Sequence, residues 1–159
     1  MSGLVRILAC GSIDRGDDAA ALLAVRRLPA AARRRAVVEE IGQLGAEHLL
    51  SEPGCRTVVV DCIHGVPGGR IVEVPLAELP GLDAAPGAAS THSLSPGRAV
   101  ALASQLGAVG PLDRFLGIGG ESFVAGAAPS PAVTRHLPDL VARLVALTVD
   151  GIPGGPACA

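Results

Sequence analysis

Five short apolar runs constrain this chain most: Leu4–Ala9, Ala36–Ile41, Thr57–Asp61, Arg70–Val74 and Arg114–Ile118. Each has the length and composition of a strand, and helical signals separate most of them. Asp18–Leu28 reads as a helix, with Asp17 as its cap and Pro29 near its end. Ala46–Leu50 reads as a short helix. In "STHSLSPGRAVALASQLG", Ser95 caps a third, Pro96 fills its first turn and Gly107 stops it. Pro131–Leu147 reads as the last helix. Such alternation folds as a three-layer α/β/α domain around a mostly parallel sheet. "GVPGG" turns the chain back into Arg70–Val74, and Leu79–Ser90, rich in Gly, Ala and Pro, reads as a loop. At 159 residues the chain is one domain over 1–149, with 150–159 a flexible tail.

Composition narrows the function classes. Half of the chain is hydrophobic (49%), yet it has two Phe and no Trp or Tyr. The core is therefore built from Ala, Val, Leu and Ile, which suits a sheet covered on both faces. Single-stranded nucleic acid needs aromatic platforms, and duplexes need a basic stripe; a net charge of −2 without such a stripe argues against both. No segment has the apolar length to cross a bilayer, and Arg6 breaks up the first apolar run, unlike a secretory leader. The four cysteines show neither a C-x-x-C pair nor a disulfide-framework spacing, which predicts reduced thiols and a cytoplasmic protein. The chain is expected to be a monomer. Arg33–Arg35 reads as a solvated connection.

In α/β sheets, ligands collect at the carboxyl ends of strands. The loop there, "GSIDRGDD", carries Asp14, Asp17 and Asp18. Gly11 and Gly16 have the spacing of a phosphate loop's outer glycines, but no Lys-Ser/Thr follows, and the loop is not G-x-G-x-x-G. Carboxylates at the start of a helix already occupy the place of an anion. The loop suits a cation instead. Asp61 ends "TVVVD" and His92 lies in a later loop; with Asp18 they give two carboxylates and one imidazole. That set suits Ni²⁺ or Zn²⁺ and leaves coordination positions open. Spacing alone leaves another reading open, in which Asp17 caps the helix and Asp18 complements its dipole. Neither H-E-x-x-H nor G-x-S-x-G is present.

"ACGSIDRGDDAAALLAVRRL", "VVVDCIHGVPGGRIVEV", "STHSLSPGRAVALASQLG" and "FLGIGGESFVAGAAPSPAVTRHLPDLVARL" follow one another in the order and spacing of a known family. The chain resembles the endopeptidases that mature nickel–iron hydrogenases, over about its first 148 residues. The resemblance implies a five-stranded mixed sheet with one antiparallel strand, a role that Arg70–Val74 would fill. It also implies a metal-binding and catalytic triad of Asp18, Asp61 and His92. Such proteases remove a short C-terminal extension from the hydrogenase large-subunit precursor after nickel insertion, and their ligands recognise the nickel in that substrate. The departures are Ala9 for glycine, Ser12 for asparagine, Ala19 and Ala21 for glycines, and Gly120 where proline is expected. They leave a second reading: a non-cleaving module that binds the nickel-loaded large subunit. A small-molecule hydrolase on a similar sheet is a further rival.

Other polar residues carry weaker expectations. His64 reads as a solvated turn residue, with a supplementary ligand or substrate contact as the alternative. Glu121 is a candidate for substrate positioning and Asp17 for a general base. Cys10 and Cys62 read as buried packing residues, with nickel ligation as the alternative. His48 and His136 read as surface or packing residues.

Overall fold

A computed structural model describes residues 4–50, 55–83 and 95–150. His92, Cys158 and all of the expected tail but Asp150 lie outside the described residues. The first strand, β1 (Val5–Cys10), is buried along its whole length. A 3₁₀ turn (Gly16–Ala19), α1 (Ala20–Arg26) and α2 (Ala30–Arg33) lead to β2 (Ala36–Ile41). Then come α3 (Ala46–Leu50), β3 (Arg56–Ile63), β4 (Ile71–Pro75) and a second 3₁₀ turn (Leu76–Glu78). The chain continues as α4 (Leu79–Asp83), α5 (Pro96–Gln105), β5 (Arg114–Gly119) and α6 (Pro131–Val149).

The sheet runs β2-β1-β3-β5-β4. Every neighbouring pair is parallel except β4 with β5, so the strand after "GVPGG" is the antiparallel one. Alternate residues of the strands feed two cores. Ile7, Ala9, Val58, Val60, Leu116 and Ile118 pack with α1 and α6. Leu8, Cys10, Val59 and Phe115 face the other way, toward α3, α4 and α5. This is an α/β/α sandwich. Each large aliphatic chain fully buried there contributes roughly 1.5–3 kcal/mol, so the layers hold without aromatic bulk.

Several details differ from the sequence reading. The first helix opens as a 3₁₀ turn, and its capping residue Arg15 makes no side-chain cap bond, so Asp17 is not the cap. Part of the expected loop from Leu79 is the helix α4. Arg33 is not idle in its connection, because its guanidinium donates to the carbonyls of Val25, Arg26 and Leu28 at the end of α1. Cys10 and Cys62 are free and buried, but Cys55 is disulfide-bonded, against the expectation of reduced thiols. Among the described residues, no helix is long and apolar enough to cross a membrane.

Candidate functional site

The order of the strands places the site. β1 connects to β2 on one side and the chain then crosses over to β3 on the other, so a crevice opens between the carboxyl ends of β1 and β3. The register pairs Ala9 with Val60, which brings Cys10 and Asp61 side by side at that edge. Asp18 reaches the same place from the 3₁₀ turn after β1. Both carboxylates act on one thiol: burial pushes Cys10 well above the ordinary thiol range, and Asp61 and Asp18 push it further. Cys62 is raised in the same way, by burial first and then by Asp61, Asp17 and Asp18. These thiols are protonated packing groups, not ready nucleophiles.

Asp18 is half-buried and its pKa is raised, because burial outweighs the Ser12 backbone N–H and the charges of Arg15 and His64. The link from Ser12 is therefore made by the main chain, which serine supplies as well as asparagine. Gly11 is required beside it. Its φ is +131°, and a Cβ there would lie 2.0 Å from the carbonyl oxygen of Asp18. Asp61 is half-buried, and its Oδ1 accepts from the Cys62 N–H at 2.8 Å.

Asp17 has a role that the sequence did not suggest. Its fully buried carboxylate accepts from the backbone N–H of Glu121 (2.7 Å), Ser122 (3.1 Å) and Ser130 (2.6 Å), and from the Ser130 hydroxyl (2.9 Å). Burial alone would raise its pKa; these bonds outweigh it and hold the pKa below the ordinary value. A carboxylate so occupied makes a poor general base. It clamps the loop after β5 and the start of α6 to the acidic turn, and backbone bonds from Gly16 to Ala127, Asp17 to Ser122 and Gly126 to Asp14 close the seam. Only the acidic loop with Asp14, Asp17 and Asp18 was visible in sequence; the partners of Asp17 lie more than a hundred residues away.

Gly120 has a local reason. A Cβ there would lie 2.5 Å from the Cys62 sulfur and 2.6 Å from the Phe123 ring. Its N–H also donates to the Ile63 carbonyl at 3.0 Å, a bond that proline could not make. His64 is exposed, as a turn histidine would be, but its ring stacks on Phe123 with centroids 3.7 Å apart. The exposed Glu121 side chain lies over Gly68 in the β3–β4 turn. His48 and His136 make local contacts, to the Gly45 N–H and to Asp139.

No protein-family model matches the sequence, and no curated protein matches it significantly. Solved structures do match. The NiFe hydrogenase maturation protease HycI from Thermococcus kodakarensis KOD1 superposes with a TM-score of 0.68 at 19% identity, covering 94% of each chain. HybD from Thermococcus kodakarensis, of the same description, gives 0.68 at 23% identity over 91% of this chain and 99% of its own. The hydrogenase maturating endopeptidase HybD from E. coli gives 0.65 at 20% identity, covering 90% of each. The chain has the maturation-protease fold. Within that fold, Asp18 and Asp61 both act on Cys10 at the switch point, while His92 lies outside the described residues. Among those described, no group of three or more His, Cys, Asp or Glu is placed to hold a metal ion.

Proposed function

We propose that this chain is a hydrogenase maturation endopeptidase. It removes a C-terminal extension from a nickel-loaded large-subunit precursor, and Asp18, Asp61 and His92 recognise the nickel carried by that substrate. What supports this reading is that Asp18 and Asp61 both act on the Cys10 thiol at the switch point of a sheet shared with known maturation proteases. Two carboxylates beside protonated, uncharged thiols, with only Arg15 and His64 acting on Asp18 from nearby, suit a cation that arrives with the partner. Nickel bound there would hold the extension in place and polarise the carbonyl to be cut. The chain's own part is to orient: Ser12 and Gly11 set Asp18, the Cys62 N–H sets Asp61, and Asp17 fixes the opposite wall.

The test is intact-mass spectrometry of a large-subunit precursor incubated with the protein, with and without nickel loading. Loss of the C-terminal peptide only from the loaded precursor, abolished by Asp18→Asn and Asp61→Asn, is the expected result. Retention of the loaded precursor on the protein without any mass loss would replace the protease by a binding module. Cleavage that persists in both variants would remove the carboxylates from the mechanism.

A further inference from the structure

Of two phenylalanines in the chain, Phe115 is a core residue. The other, Phe123, is half-buried at the carboxyl edge of the sheet, with one face covered by the exposed imidazole of His64 at a ring separation of 3.7 Å and 18° between planes. The two loops that carry this pair are bound to each other. The Gly120 N–H donates to the Ile63 carbonyl, the residue before His64, and the Glu121 side chain lies over Gly68. Behind them the Asp17 carboxylate holds the N–H groups of Glu121 and Ser122. An exposed ring is ordinarily free to turn; this one is buttressed from a loop that is itself clamped. It also stands within electrostatic reach of Asp18.

The geometry points to His64 as a substrate-positioning residue: its ring, held in plane by Phe123, donates a hydrogen bond to a main-chain carbonyl of the bound C-terminal extension beside Asp18. A main-chain acceptor fits a donor on an exposed edge, since every residue of an extended peptide offers a carbonyl. This inference rests on the protease reading above. It adds a contact that neither carboxylate can make, because an ionised carboxylate only accepts.

The experiment compares cleavage of the nickel-loaded precursor by the wild type, His64→Phe and His64→Gln. Phenylalanine keeps the stack and removes the ring N–H; glutamine restores a donor without the ring. The expected result for His64→Phe is a KM raised about three- to tenfold, with kcat within about twofold and an unchanged unfolding midpoint, as the loss of one neutral hydrogen bond to substrate implies. His64→Gln recovers part of the loss. A wild-type KM in His64→Phe overturns the inference while leaving the protease reading intact. A wild-type protein that neither cleaves nor retains the loaded precursor overturns both.

Discussion

Asp17 makes the sharpest case at the scale of single residues. Asp17→Ala leaves three backbone N–H groups and a hydroxyl without their acceptor, and destabilises the protein by about 3–5 kcal/mol. The depressed pKa gives a pH signature. The unfolded chain binds the proton first, near 3.8, so the contribution of Asp17 is complete above that value and is lost as pH falls through its folded pKa. Chemical denaturation of wild type and Asp17→Ala as a function of pH should show the gap closing below that point; a constant gap would deny the clamp. Gly120 offers a second case. Gly120→Ala should cost about 1–3 kcal/mol through contact with the Cys62 sulfur and the Phe123 ring, and Cys62→Ala should recover part of it in a double-mutant cycle. Strict additivity would show that the two do not touch.

At the scale of elements, α6 combines a well-made start with an internal fault. Ser130 caps it and Pro131 fills its first turn, yet Pro138 lies in its interior. Pro138 and Thr134 are both exposed, so water can take the carbonyl that proline leaves unbonded. Pro138→Ala should stabilise the protein by about 1–3 kcal/mol. With no Trp or Tyr, the transition is best followed by far-ultraviolet circular dichroism; an unchanged or lower midpoint would mean that the proline is built into the packing. The far end of α6 is fastened by Arg56 at the start of β3, which donates to the carbonyls of Leu147 and Asp150 and to Leu112. Arg56→Leu should cost about 2–3 kcal/mol by leaving these acceptors unpaired. Hydrogen exchange should then be faster in the last turn of α6 than in α1.

For the whole molecule, the site sets function against stability. Burial raises the pKa of Asp18, so the fold prefers it protonated while cation recognition needs it ionised. Asp18→Asn should therefore be slightly more stable than the wild type at neutral pH, and inactive. The sign follows from linkage: as pH falls from neutral, the folded wild type takes up the proton before the unfolded chain does, so its disadvantage against Asp18→Asn shrinks. Paired denaturation curves at neutral and mildly acidic pH measure this; a variant less stable than the wild type at neutral pH would show Asp18 to be structural.

The sequence by itself determined the strands, the longer helices and the architecture. Strand runs such as "TVVVD", the Ser95–Pro96 and Pro131 helix starts, and the turn at "GVPGG" are local signals, set by propensities within a few residues. It also marked Asp18 and Asp61 as worth joining, through their place after apolar runs and the family resemblance that links them. What tertiary structure alone decided is who meets whom. Strand order put β1 beside β3 and so set both carboxylates to act on the Cys10 thiol; it also took Asp17 from an expected cap to a clamp on Glu121, Ser122 and Ser130. The stacking of His64 on Phe123, the closeness of Cys62 that leaves Gly120 no room for a Cβ and the capping of α1 by Arg33 belong to the same class. The physical reason is common to all of them. A side chain's propensity is written in its neighbours along the chain, whereas its hydrogen-bond partner is chosen by the packing of layers that the chain reaches only after folding.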